Sequence, residues 1–367
     1  MSSTYCPLPF TFIYSDSADA YRPCCYGSKL NQKPSEVVPF DFFLSDEMQE
    51  VRRQLLNDEK PDACMRCFDK EKGMGVSPRV GAIQRYGYIS NDNLRPLTIQ
   101  MKLFGSSCNL SCYMCNPYNS SERRKEIKKL SDDSIFFTDS ALHNESIARK
   151  DYDRIINNLL ENIEKVGIII IMGGEPVMMQ RHWEFLDMIP DDVAKNIAVR
   201  YQTNLTQTHF KKWSLYDTID KFGNVAINVS CDHYGDKLKW IRYPIDVDQF
   251  ENNLKEFREH IDLISGTVSL LNIDELDEIK EYYESNFEIE FEWANLVYDP
   301  EALSIRQLQD DQKLFYLSKY ANNPLVVDEL LTPRLSELDQ VTQNYFKELD
   351  KIRSTDVNRI FAVNLYE

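Results

Sequence analysis

From residue 97 to residue 293 the chain alternates between two hydrophobic rhythms. Residues 97–104, LTIQMKLF, are β-branched and alternating, which predicts a strand. Residues 120–130 read as a charged helix, and residues 152–163 as an amphipathic one with Ile155, Ile156, Leu159, Leu160 and Ile163 on one face. The run 167–172, GIIIIM, has the unbroken apolar character of a parallel strand buried on both sides. A helix is predicted over 182–189, a strand over 196–204 and, after another helix, a strand over 224–232. In that strand Val225, Ile227, Val229 and Cys231 share one face, and Ala226, Asn228, Ser230 and Asp232 the other. The last two strands are expected over 263–270 and 287–293, with Asn272 opening the intervening helix. Six strands, each followed by a helix, predict an α/β fold: a partial (β/α)6 TIM-type barrel with its active site at the C-terminal rim.

Within that barrel the bulky face of 224–232 is expected against the helices, which makes Cys231 a buried structural thiol and brings Ser230 and Asp232 to the rim. Glu288, Glu290 and Glu292 share a face of the last strand, where they either solvate an edge or line the barrel's open side. Ahead of the barrel, residues 1–94 form a cysteine-bearing module. It has a predicted hairpin (strand 6–14, polar turn 15–20, return strand 21–25) and a helix capped by Ser45, with Asp46 and Glu47 in its first turn. Met48, Val51 and Leu55 share a face of that helix, Pro61 ends it, and Cys64-Met-Arg-Cys67 follows. The barrel is assigned residues 95–300. Residues 301–367 form a helical extension carrying Leu303, Ile305, Leu308 and Phe315, then Leu335, Leu338, Val341, Tyr345 and Leu349 on an amphipathic segment.

Charge narrows the partners. With 42 basic and 59 acidic residues the formal charge is −17, spread without a basic stripe, so nucleic acid is a disfavoured partner. No apolar run approaches the roughly 20 residues that span a bilayer, and no signal segment opens the chain, so no membrane partner and a cytoplasmic location are expected. The nine cysteines are an odd number in a reducing compartment, which argues against a disulfide framework. They fall into groups: Cys6, Cys24, Cys25, Cys64 and Cys67; then Cys108, Cys112 and Cys115; and Cys231 alone.

Cys108-Asn-Leu-Ser-Cys112-Tyr-Met-Cys115 is a C-x3-C-x2-C pattern on the loop where the first barrel strand ends. Three thiolates can hold three irons of a cubane and leave the fourth open, whereas a structural zinc knuckle is the plainer alternative. The spacing and its position resemble the radical S-adenosylmethionine (radical SAM) family. Gly173-Gly-Glu-Pro176 at the end of a later strand, Thr203-Asn204, and Ser230-Cys-Asp232 followed by Ile241-Arg242 extend the resemblance.

The resemblance implies an enzyme whose 4Fe-4S cluster on Cys108, Cys112 and Cys115 binds S-adenosyl-L-methionine and splits it reductively. It places the methionine amino group on Gly173, Gly174, Glu175 and Pro176, and the ribose and carboxylate on Thr203, Asn204, Ser230 and Asp232, with Arg242 a further carboxylate candidate. Family members usually place an aromatic before the last cysteine to touch adenine; here that position is Met114, with Tyr113 beside it.

Cys6, Cys24, Cys64 and Cys67 could make a tetrahedral zinc site. Their order also resembles the twitch module, a relative of SPASM, which carries a second 4Fe-4S auxiliary cluster, here N-terminal to the core; Cys24 is the preferred ligand and Cys25 its reserve. Implied in turn are a peptide or small-molecule substrate, oxidised, cross-linked or epimerised at an unreactive carbon, and a reductant such as flavodoxin or ferredoxin. The rival readings are a non-catalytic iron-sulfur or zinc protein and a nucleic-acid modifying enzyme of the same family.

Overall fold

A computed structural model describes residues 2–15, 20–74, 77–89, 97–132, 149–335, 338–361 and 365. Its strands are β1 (Phe12–Ser15), β2 (Leu97–Met101), β3 (Val166–Ile171), β4 (Ala198–Thr203), β5 (His209–Phe210), β6 (Trp213–Ser214), β7 (Asn224–Ser230), β8 (Ile261–Val268) and β9 (Phe291–Leu296). Seven of them form one curled, all-parallel sheet in the order β1-β2-β3-β4-β7-β8-β9, while β5 and β6 pair separately. Helices cover one face, so the architecture is the expected partial barrel with a helical C-terminus.

Alternation decides which residues face the helices. Ile99, Ile169, Ile171, Val199, Tyr201, Ile227, Val229, Ile264 and Phe291 share a buried cluster with Ile155, Leu159, Trp183, Phe250 and Tyr283 from the helical layer. Each large apolar side chain so buried contributes about 1.5–3 kcal/mol, and a one-residue slip of any strand would turn its set away from the helices. The register is therefore fixed, and Gln100, Ile170, Arg200, Asn228, Ser265 and Glu292 lie on the concave side, half-buried or exposed. Cys231 falls in the helix-side cluster, its thiol donating to the His233 carbonyl at 3.1 Å.

Several elements differ from the sequence expectation. Residues 6–14 are not one strand. Pro7 and Pro9 lack an N–H and favour the 3-10 turn Leu8–Phe10, so β1 begins only at Phe12. The return strand 21–25 shrinks to one bridge between Tyr14 and Arg22, because Pro23 cannot donate to a ladder. Residues 16–19 of the turn lie outside the described residues. β1 pairs in parallel with β2 and adds a seventh strand to the sheet. β3 is fully buried on the helix side and partly covered on the other, where Ile168 and Ile170 are half-buried on the concave side. The helix before β9 runs through Phe287 and is closed by Glu288 in the left-handed region, which delays the strand to Phe291.

The helix Asp46–Leu56 is capped by Ser45 as expected, with Met48, Val51 and Leu55 buried. The C-terminal segment contains the helices Asp310–Lys319, Pro324–Leu331, Asp339–Arg353 and Val357–Phe361. Leu303, Ile305 and Leu308 are buried, whereas Phe315 is exposed and Tyr316 takes the packing position. Tyr345, Phe346 and Leu349 pack against Tyr113, Ile127 and Trp240, which seats the extension behind the cysteine loop. Among the described residues no helix is long and apolar enough to cross a membrane.

Candidate functional site

The loop after β2 is held by its own backbone. The Ser121 N–H donates to Ser106 at 2.9 Å, Ser111 N–H to Tyr243 at 2.6 Å, Tyr113 N–H to Ile241 at 3.0 Å and Cys115 N–H to Cys112 at 3.0 Å. Cys108, Cys112 and Cys115 are all half-buried on it. The end of β3 presses on this loop: the Glu175 N–H donates to the Ser107 carbonyl at 2.7 Å. A Cβ on Gly174 would stand 2.1 Å from that same oxygen, and one on Gly173 2.9 Å from the Gly105 carbonyl. Both residues also have positive φ, so the paired glycines are what permit the contact.

Glu175 is fully buried and accepts from three donors: Thr203 Oγ1 at 2.7 Å, Asn204 N–H at 2.8 Å and Val177 N–H at 3.1 Å. Burial pushes its carboxyl up to about 7, the three hydrogen bonds opposing the rise. Pro176 opens a 3-10 turn beside it. The Asn204 amide donates to Asn109 Oδ1 at 3.2 Å and lies 3.9 Å from Cys108 Sγ, so the ends of β3 and β4 converge on the first cysteine. Asp232 and Arg242, predicted as separate contacts, are paired with each other. Nε and Nη2 of Arg242 both lie 2.8 Å from Asp232 Oδ2, and Oδ1 accepts from Thr267 N–H at 2.8 Å. Burial raises the Asp232 carboxyl while the Arg242 guanidinium pulls it back. Arg242 Nη1 reaches to 4.0 Å from Cys112 Sγ. Ser230 is half-buried on the concave side of β7. Met114 packs half-buried against the cluster that contains the fully buried Tyr113.

Sequence reading missed the brace behind the loop. Arg353, on the helix Asp339–Arg353, donates to the Ser111 carbonyl at 2.5 Å and the Trp240 carbonyl at 2.8 Å, and grips Glu126 at 2.7 and 2.9 Å. Arg123 bonds the same Glu126 and donates to the Tyr113 carbonyl at 2.6 Å, which also accepts from the Tyr345 hydroxyl. The carbonyls on either side of Cys112 are thus tied to two buried guanidinium groups. One signal was available: Tyr345, Leu349 and Arg353 recur every four residues, which puts a charge on an apolar stripe.

In the N-terminal module Cys6, Cys24 and Cys64 share a cluster with Leu8, Phe12, Val51, Leu55 and Phe68, and Cys67 is buried next to it. Cys24 is buried and Cys25 exposed. Burial raises the Cys6 thiol, and the nearness of Cys24, Cys64 and Cys67 raises it further. Ile170 of β3 packs on this cluster, so the module rests on the concave face. Among the described residues no three His, Cys, Asp or Glu side chains are drawn together tightly enough to hold a single metal ion.

A model of the Radical SAM superfamily matches residues 103–285, from the end of β2 to the helix before β9. The chain carries a radical SAM domain. No curated protein sequence matches it. Among solved structures, native anSMEcpe with bound AdoMet is similar over 62% of this chain and 60% of its own, at 18% identity and a TM-score of 0.43. Streptococcus suis SuiB bound to S-adenosylmethionine is similar over 94% of this chain and 77% of its own, at 15% identity and a TM-score of 0.37. TYW1 with a lysine-pyruvate adduct bound is similar over 62% and 72%, at 16% identity and a TM-score of 0.29. The match thus spans about three fifths of anSMEcpe.

The match to this domain implies a 4Fe-4S cluster and S-adenosylmethionine. The donor set of the radical SAM domain fits a cluster. Burial pushes all three thiols up, Cys115 to about 12, so they would stay protonated on their own, whereas coordination to a metal deprotonates a thiol outright. Arg242, Arg353 and Arg123 around Cys112, and Arg123, Lys102 and Arg242 around Cys115, oppose that rise and would offset the charge of bound thiolates.

Proposed function

We propose that the chain is a radical SAM enzyme that removes a hydrogen atom from an unreactive carbon of a peptide or small metabolite, leading to oxidation, cross-linking or epimerisation. The supporting observation is the convergence of the three-cysteine loop with the glycine-rich end of β3 inside the matched domain. When bound, the cluster and S-adenosylmethionine would supply the electron and the 5'-deoxyadenosyl radical.

The protein's own part is positional. Cys108, Cys112 and Cys115 would bind three irons. Gly173, Gly174, Glu175 and Pro176 would receive the amino end of the cofactor; Thr203, Asn204, Ser230 and Asp232 its ribose and carboxylate, with Arg242 helping, and Met114 would lie towards adenine. Glu175 is held ready by its three donors, and the Asp232–Arg242 pair keeps both charges satisfied until a ligand arrives. We further assign Cys6, Cys24, Cys64 and Cys67 to a twitch-like auxiliary cluster. The burial of Cys24 and the exposure of Cys25 favour this set. A flavodoxin or ferredoxin would be the reductant.

Anaerobic reconstitution tests the assignment. About eight irons per chain are expected, falling to about four when Cys6, Cys24, Cys64 and Cys67 are all replaced by alanine. About four irons with one zinc in the unaltered protein would overturn the auxiliary cluster. Absence of 5'-deoxyadenosine from reduced protein with S-adenosylmethionine would overturn the enzyme itself.

A further inference from the structure

The concave side of the sheet holds a cation with no partner among the described residues. On β4, Val199 and Tyr201 turn into the helix-side core, where the Tyr201 hydroxyl meets His182 Nε2 at 2.7 Å and Thr218 Oγ1 at 3.0 Å. Arg200 therefore faces the other way. It sits half-buried at the middle of the sheet, in register with Ile170 on β3 and Ala226 on β7. Among the described residues no hydrogen bond or ion pair reaches its guanidinium, although acidic residues outnumber basic ones 59 to 42 in this chain. Ala226, beside it on β7, has a small side chain, and Ile170 on its other side packs on the N-terminal cysteine module. A half-buried guanidinium that no protein group engages is open to a ligand with a planar anionic end.

The rows above continue the pattern towards the rim. Gln202 is level with Asn228, and Ser230 with Ser265 and Glu292. Among the described residues the side chains of Gln202 and Ser230 make no hydrogen bond, and Asn228 uses its oxygen alone, accepting from Ser265 Oγ at 2.9 Å. Glu292, exposed and without a partner among the described residues on the edge strand β9, shares this face because its neighbour Phe291 is in the helix-side core. Of the three acids read onto one face of this strand, Glu288 instead caps the preceding helix and Glu290 precedes the strand, so only Glu292 lies on it. Glu292 lies four residues nearer the rim than Arg200 and three strands across from it, about 13 Å along the strands and about 14 Å across the sheet, a gap that the two inward-pointing side chains narrow.

We propose that this concave face binds a zwitterionic substrate, with a carboxylate or phosphate on Arg200 and an amine at Glu292, the two separated by several bonds. The proposal rests on the radical SAM reading only in taking the concave face as the place of reaction. Full-length iron-reconstituted protein is titrated calorimetrically, without S-adenosylmethionine or reductant, with 6-aminohexanoate, 6-aminohexyl phosphate, hexanoate and hexylamine. One of the two zwitterions is expected to bind at least about tenfold more tightly than either singly charged probe, and which one distinguishes carboxylate from phosphate. Arg200→Gln should weaken it about tenfold or more and Arg200→Lys less. Glu292→Gln should weaken the zwitterion and leave hexanoate unchanged. The proposal fails if no probe binds, if zwitterions have no advantage, or if Arg200→Gln binds like the unaltered protein. It fails equally if that variant shifts only the reduction potential of the bound iron, which would make Arg200 a counter-charge to the cysteine module. Because binding is read without radical chemistry, its failure and the absence of 5'-deoxyadenosine are separate results.

Discussion

Arg353→Met is expected to destabilise the iron-free protein by about 3 kcal/mol, because it removes one partner of a buried ion pair and leaves buried acceptors unmet. The Arg353 side chain is fully buried, bonds both oxygens of Glu126, and ties the Ser111 and Trp240 carbonyls. Arg123 remains on Glu126 in the variant, so the carboxylate is not orphaned and the loss stays near the lower end for such pairs. The effect should reach the cysteine loop, since Ser111 precedes Cys112 directly. Iron bound to that loop should therefore be lost to a chelator faster than in the unaltered protein, and Arg353→Lys should recover part of both losses by restoring charge without the planar fork. Urea midpoints and iron-release rates decide it. A midpoint change equivalent to less than about 1 kcal/mol, the scale of an exposed pair, would remove Arg353 from the brace.

Replacing Cys108, Cys112 and Cys115 together by alanine should abolish 5'-deoxyadenosine formation and remove about four irons per chain, while the fold survives. The three thiols are half-buried and their own polar contacts are long, 3.5 to 4.0 Å, whereas the loop is held by Ser111, Tyr113 and Ser121 backbone bonds that alanine leaves intact. Cys231→Ala is the internal control. Its thiol is buried with the helix-side core and bonds the His233 carbonyl, so that change should cost stability and leave iron content as it was. Equal iron in the triple variant and the unaltered chain, by colorimetric assay, would show that the metal is held elsewhere.

The parts of the fold legible in the sequence were those where one local pattern decides the outcome. The 224–232 alternation placed Val229 and Cys231 in the core and Ser230 on the concave side, and Ser45 capped its helix as read. Where proline chemistry or helix propagation competed with apolar pattern, the pattern lost, as at Pro7, Pro23 and the helix that overran to Phe287. The parallel pairing of β1 with β2 is a contact between distant segments that no local window carries. The same holds at the site. Cys108, Gly174 and Asn204 are visible as motifs, but the Asp232–Arg242 pair and the Arg353–Glu126 brace join residues ten and more than two hundred positions apart.

A cluster held by Cys108, Cys112 and Cys115 alone would leave one iron free to take a cofactor. The direct measurement is the electron paramagnetic resonance spectrum of the reduced, reconstituted protein before and after S-adenosylmethionine is added. The cofactor should change the reduced cluster signal, and no such change should occur once Cys108, Cys112 and Cys115 are alanine. A cluster spectrum in the unaltered protein that is the same with and without S-adenosylmethionine would contradict it.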